Sequence, residues 1–122
     1  MEIRERRAGG IAVLDVIGRM VLGEGESESD TVLRDRAVDL LAQGHLHVVL
    51  NVWQVTQVDT SGLKQLLAAH FAMTRRGGHL RLASPTARIR DVLAITRLNS
   101  LFEIFDTEQA AIEGIAAVDP QG

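Results

Sequence analysis

Two adjacent hydroxyls, Thr60 and Ser61, stand between an acid and a glycine in Gln57-Val58-Asp59-Thr60-Ser61-Gly62-Leu63-Lys64-Gln65-Leu66-Leu67, and their setting is what makes them chemically interesting. Before them, His47-Val48-Val49-Leu50-Asn51-Val52 is a short, nearly unbroken apolar and β-branched run, which predicts a strand buried on both faces. After them, Leu63, Leu66, Leu67, His70 and Phe71 recur at helical intervals, so the spacing predicts a helix that begins close to Ser61 and ends at Gly77-Gly78. A helix start carries backbone N–H groups without intrahelical partners and the positive end of the helix dipole, so a phosphate added there is tolerated rather than expelled. Ser61 is therefore the candidate phosphate acceptor and Thr60 the secondary one; the plainer reading makes Ser61 an unmodified helix cap. Asp59 is expected to hold the turn by accepting backbone N–H bonds, and Lys64, one turn on, is close enough to meet a phosphate or is simply a solvated charge.

Other chemistries find weaker support. A serine hydrolase would use Ser61 as nucleophile, but Asp-Thr-Ser-Gly is not a Gly-x-Ser-x-Gly elbow, and no histidine and acid are placed by sequence as base and orienter. The histidines at 45, 47, 70 and 79 lack metal-site spacing, and His70 is expected in the core with a satisfied ring. Gly23-Glu24-Gly25-Glu26-Ser27-Glu28-Ser29-Asp30 is glycine-punctuated, but its carboxylates would repel a phosphate; it reads as a loop with a helix cap, with a divalent cation site as the other possibility. Trp53, the single tryptophan, falls in the loop expected after the central strand and is either an aromatic anchor for a partner or buried against the domain's own edge. Ile95 points away from its helix's apolar stripe and could extend a partner surface.

The remaining elements follow from periodicity and punctuation. Residues 2–7 are charged like an edge strand, Ala8-Gly9-Gly10 turns, and Ile11–Ile17 is a second strand, giving an N-terminal hairpin that ends with a bend at Gly18-Arg19-Met20. Ser29 or Asp30 caps a helix with Leu33, Ala37, Leu40 and Leu41 on one side. His79–Ala83 alternates as a strand with one wetter face. Ser84-Pro85 then reads as a cap with proline at the first helical position, before a helix burying Ile89, Val92, Leu93 and Thr96. Leu101–Phe105 is a last strand, Asp106-Thr107-Glu108-Gln109 opens a final helix, and Asp119-Pro120-Gln121-Gly122 frays.

Composition limits the alternatives. The chain has 122 residues, 46% of them apolar, enough for one core, so one domain is expected over 1–122 with an ordered part of about 2–117. Thirteen cations against 16 acids, with the arginines scattered, leave no basic footprint for nucleic acid. Cysteine is absent, which removes disulfides, thiol catalysis and thiolate metal sites. No apolar run approaches a membrane span, and the charged start is unlike a secretion signal, so a cytoplasmic protein is expected. Strands alternating with helices after a hairpin imply an α/β fold, a mixed, mainly parallel sheet with about four helices.

In the order strand, Asp59-Thr60-Ser61-Gly62-Leu63, helix, Gly77-Gly78, strand, Ser84-Pro85, helix, with Leu98-Asn99-Ser100-Leu101-Phe102-Glu103-Ile104 following, the chain resembles a STAS domain, specifically a bacterial anti-anti-sigma factor, or anti-sigma factor antagonist. The resemblance implies a non-catalytic binding module that, unphosphorylated, binds an anti-sigma factor that is also a serine kinase and so frees a sigma factor. The kinase would inactivate it by phosphorylating the serine before the glycine, here Ser61, with Asp59 in the acidic position and a phosphatase as a further partner. No cofactor or metal, no nucleic acid or membrane partner, and a monomer or weak dimer are expected. A stressosome-type STAS scaffold subunit is the alternative within the same fold. One departure is plain: where family members commonly carry an acid in the loop after the second strand, close to the phosphorylation site, this chain has Gly18-Arg19-Met20-Val21-Leu22-Gly23, with its carboxylates displaced to Glu24, Glu26 and Glu28.

Overall fold

Two apolar patterns fold this chain: β-branched runs that pair edge to edge, and helical stripes that cover the faces so formed. A computed structural model describes residues 1–21 and 32–118, the last three by backbone alone. The acidic loop and its cap, Ser29 or Asp30, and the terminal Asp119-Pro120-Gln121-Gly122 lie outside the described residues. The strands are β1 (Glu2–Ala8), β2 (Ile11–Met20), β3 (His47–Val58), β4 (His79–Ala83) and β5 (Glu103–Phe105). The helices are α1 (Val32–Ala42), α2 (Thr60–Arg75), α3 (Ala87–Ile95) and α4 (Glu108–Val118), with a short 3-10 turn at Leu98–Ser100. The strands form one sheet in the order β1-β2-β3-β4-β5, in which β1 runs antiparallel to β2 and the other neighbours are parallel. The expected mixed α/β sheet with an N-terminal hairpin is therefore the fold.

One face of the sheet carries Leu14, Val16, Val48, Leu50, Leu80 and Leu82 against Leu33, Ala37 and Leu40 of α1, Leu66, Ala69 and Met73 of α2, and Ile89 and Leu93 of α3. The other face packs Val13, Val49 and Ala83 against Ala111 and Ile115 of α4. This second cover corrects the expectation that β4 has a wetter face: Arg81 is only 2% exposed. Its Nη1 lies 2.8 Å from His47 Nδ1, and its Nε makes an ion pair with Glu103 Oε2 at 2.8 Å without the alignment of a hydrogen bond. A buried guanidinium is tolerable because it keeps charged and polar partners on both sides.

The largest revision concerns β3. The sequence suggested a strand ending at Val52 and a polar loop up to Ser61, but the strand continues to Val58, paired with the end of β2 through Gln54, Val55, Gln57 and Val58. Register shifts opposite Asp15/Ile17 and Gly18/Arg19 insert extra residues in β3, so buried Val52 and Val55 fall three apart rather than two. Such bulges break the alternation that announces a strand, which is why this half looked like loop. β2 likewise runs past its expected bend to Met20.

Smaller corrections share one cause, the local hydrogen-bonding chemistry of short polar residues. Thr86 rather than Ser84 caps α3, its hydroxyl accepting the Ile89 N–H at 3.2 Å, while Ser84 sits at φ 56°, in the left-handed region. Thr96 is exposed and donates its hydroxyl to the carbonyl of Val92, so it closes the helix instead of burying. Leu98–Ser100 is a 3-10 turn and Leu101 is left exposed, which shortens β5 to three residues.

A polar cluster fastens α4 to the far edge of the sheet. Arg6 of β1 donates to Asp15 Oδ2 at 2.6 Å and pairs with Glu108, whose Oε1 also accepts from Asn51 Nδ2 at 3.0 Å. The Arg6 hydrogen bond holds the Glu108 carboxyl below the usual carboxylate range; burial opposes this and the Asn51 bond adds to it. His70 differs from expectation: its ring lies edge-on to Phe71 and Phe102, but its buried Nδ1 has no partner among the described residues. Burial pushes the His70 imidazolium down in pKa, with the Glu103 charge pulling the other way.

Both groups make the fold acid-sensitive in the same direction. Unfolded chains take up the histidine proton near pH ~6.5 and the carboxylate proton near ~4.3. Stability from the neutral His70 is thus complete above the first value and falls as pH drops toward the lowered folded pKa. That from ionised Glu108 is complete above the second value and is lost as pH falls through its own depressed folded pKa. Urea midpoints followed from pH 7 to 3 should therefore decline in two stages, and His70→Leu should flatten the earlier one. An unchanged slope in that variant would contradict the assignment.

Candidate functional site

The turn that carries the hydroxyls is built by one carboxylate. Asp59 leaves the strand in an extended conformation, and its Oδ1 accepts the backbone N–H of Ser61 at 2.9 Å and of Gly62 at 3.2 Å. Two of the helix's orphan donors are thereby satisfied, and an acid sits at the positive end of the dipole. Asp59 is thus the cap, α2 begins at Thr60, and Ser61 is its second residue. The reading of Ser61 as the cap is replaced by this arrangement.

The turn is pressed onto the end of β2. The Asp59 N–H donates to the carbonyl of Met20 at 3.2 Å. Gly62 is buried against the same residue: a Cβ there would overlap Met20 O and stand 2.8 Å from Met20 Cβ and 2.9 Å from Val58 Cγ2. Only a residue without a side chain lets the first turn of α2 approach that closely. Beside this contact, Arg19 Nε donates to Gln57 Oε1 at 2.6 Å across the β2–β3 pair.

The positions along this turn differ in what they offer. Thr60 is exposed and Ser61 half-buried, its hydroxyl making no hydrogen bond among the described residues. Lys64 is exposed and makes no ion pair among the described residues. Asp59, Thr60, Ser61, Gly62 and Lys64 come together because strand end and helix start are contiguous. Trp53 is not in a loop, as expected, but inside β3, where it is 59% exposed. Ile95 is the last residue of α3 and 81% exposed. No hydrogen bond, ion pair or ring contact among the described residues joins Trp53 or Ile95 to the Ser61 turn.

The resemblance already set the Gly18-Arg19-Met20 segment close to the site, and Met20 is there; what sequence reasoning missed is the strand pairing that brings it, which lies in the bulged half of β3. The apolar Val55 and Val58 were the available signal. Ser61 has no histidine hydrogen-bonded to it among the described residues. Among the same residues, no group of three or more His, Cys, Asp or Glu could hold a metal ion, and no helix is long and apolar enough to cross a membrane.

Comparison with known proteins defines the class. The STAS domain profile matches residues 6–111, and the chain belongs to the STAS domain family. Among its relatives, a candidate anti-sigma factor antagonist of Thermotoga neapolitana is 29% identical over 77 residues, covering 63% of this chain and 68% of that protein. The crystal structure of an anti-sigma factor antagonist from Mycobacterium paratuberculosis superposes with a TM-score of 0.76 at 18% identity, over 93% of this chain and 92% of that one. SpoIIAA, an anti-sigma factor antagonist of Bacillus solved in unphosphorylated and phosphorylated forms, superposes with a TM-score of 0.66 at 17% identity over 93% of this chain and 97% and 99% of those chains.

Proposed function

We propose that this chain is an anti-sigma factor antagonist, a single non-catalytic STAS domain whose hold on an anti-sigma factor is released by phosphorylation of Ser61. The observation that carries the reading is the placing of a half-buried hydroxyl, without a hydrogen bond among the described residues, at the second residue of α2, with its own backbone N–H already held by Asp59. The serine is partly exposed, and this supports its being open to a transferase. SpoIIAA, which shares the fold, has been solved in a phosphorylated form, and this agrees with a switch that leaves the fold in place.

The chemistry of the switch is local. Transfer of a phosphoryl group from ATP to the Ser61 oxygen, with loss of its proton, adds about 1.5 to 2 negative charges at neutral pH. A partner packed around the start of α2 would have to desolvate that charge or meet it with a cation. The partner this reading requires is an anti-sigma factor with serine kinase activity, acting in the cytoplasm, with a phosphatase to restore the hydroxyl.

Mass spectrometry after incubation with the partner kinase and ATP tests the acceptor directly. A single phosphate on the peptide holding Thr60 and Ser61 is expected, abolished in Ser61→Ala and retained in Thr60→Ala. Labelling that survives both substitutions would move the switch elsewhere in the chain.

A further inference from the structure

We propose that the open edge of β3, residues 52–58, receives an extended segment of the anti-sigma factor, which joins the sheet as an added strand with Trp53 as its anchor. The inference rests on the partner proposed above and adds the surface and the manner by which it is held. β3 pairs with β4 only from His47 to Asn51, whereas its pairing with β2 continues to Val58. β4 does not follow it further. Ser84 turns the chain aside at φ 56° and gives its N–H to the carbonyl of Phe105, and Pro85 has no N–H to give. Among the described residues, no backbone hydrogen bond joins 52–58 to any element but β2. One side of this stretch therefore offers a row of backbone donors and acceptors, long enough for an ordinary strand of about 5–6 residues.

The outer edges of the sheet are guarded and this one is not. β1, the edge on one side, is charged at Glu2, Arg4, Glu5, Arg6 and Arg7, and β5, on the other, is three residues long. Charge and shortness are the usual protections against unwanted pairing. The stretch Val52-Trp53-Gln54-Val55-Thr56-Gln57-Val58 has neither charge nor proline and is rich in residues that favour strands. Val52 and Val55 are buried in the core, which fixes the strand in place, while Trp53, Thr56 and Gln57 are exposed. A partner that adds a strand draws affinity from the backbone ladder and specificity from what its alternate side chains meet. Here they meet Trp53, a large exposed ring of the kind that dominates binding energies. The matching segment is thus extended, uncharged along its length and apolar where it lies against that ring. The edge leads into Asp59 and Ser61, so a segment laid along it ends beside the hydroxyl and feels any charge placed there. This continuity assigns the edge to the partner controlled at Ser61 rather than to a second copy of the chain.

Hydrogen–deuterium exchange of the whole unphosphorylated protein, free and bound to the anti-sigma factor, tests the assignment, with calorimetry reporting that the complex has formed. Backbone N–H groups within 52–58 that exchange freely in the protein alone should slow at least about tenfold in the complex, while those of β1 are unchanged. Trp53→Ala should lower the affinity at least about tenfold and keep the circular dichroism of the parent. Unchanged exchange over 52–58 in a formed complex, or a Trp53→Ala protein of parent affinity, would overturn the assignment. So would protection of this stretch that appears on concentrating the protein alone, which would give the edge to a second copy. Failure of the complex to form would instead overturn the proposed function, and with it the occupant of the edge.

Discussion

Ser61→Asp should bind the anti-sigma factor on the order of tenfold more weakly than the parent, and Ser61→Ala about as well as the parent. The argument is electrostatic. Each ~1.4 kcal/mol is a factor of ten in affinity, and a misplaced like charge at an interface costs up to several kcal/mol. An aspartate delivers one negative charge on a shorter stem, whereas phosphoserine delivers close to two with a larger hydration shell. The mimic should therefore reproduce the direction and only part of the size, with the true phosphate lowering affinity on the order of a hundredfold. Isothermal titration with each variant gives the numbers, and circular dichroism should show the Ser61→Asp fold unchanged, because the serine side chain is not part of the core and an acid near a helix start is electrostatically welcome. Equal affinities for Ser61→Asp and the parent would leave the charge argument without support.

Gly62→Ala should be the most damaging of the conservative substitutions near the site. A methyl group at this position meets the backbone oxygen of Met20 and the side chains of Met20 and Val58 inside normal contact distance. The backbone oxygen cannot rotate away, because it also accepts the Asp59 N–H. Alanine gains about 1 kcal/mol of helix propensity over glycine, but overpacking of this kind costs about 1 to 3 kcal/mol, and contact with a fixed backbone oxygen belongs at the upper end, so a net loss of up to about 2 kcal/mol is expected. Gly114 supplies the control. A Cβ there stands 2.9 Å from the end of the Phe105 ring, a side chain that can give way, so Gly114→Ala should cost less. Chemical denaturation of the two variants compares them directly; a Gly62→Ala protein as stable as the parent would show that α2 does not need its present closeness to β2.

What could be read in the sequence, and what could not, divides along physical lines. The buried strand core of β3, the hairpin at Gly9-Gly10 and the stripes of α1 and α2 announce themselves because period and burial coincide. The second half of β3 hides because two bulges shift its register, and with it hid the true place of Trp53, inside a strand rather than in a loop. The buried state of Arg81 was invisible for a different reason: its partners, His47 and Glu103, come from neighbouring strands far off in sequence, and a lone arginine in an alternating run looks solvated. Asp59, expected to hold the turn through backbone N–H bonds, does so and caps α2, whereas the cap of α3 was placed two residues early, Ser84 for Thr86, since adjacent residues could each accept the same N–H groups. At the site itself, the linear motif sufficed to place Asp59, Thr60, Ser61, Gly62 and Lys64 together. The resemblance set Gly18-Arg19-Met20 close to it, but the contact of Met20 with Gly62 required the pairing of β2 with β3.

The account stands on the claim that a phosphate on one oxygen decides whether the anti-sigma factor is held. Its most direct test is the affinity of the parent protein for that partner, measured side by side for the unmodified chain and for the chain fully phosphorylated at Ser61. The unmodified form should bind and the phosphorylated form should lose on the order of a hundredfold, about 2.7 kcal/mol. Equal affinity of the two forms would contradict the claim.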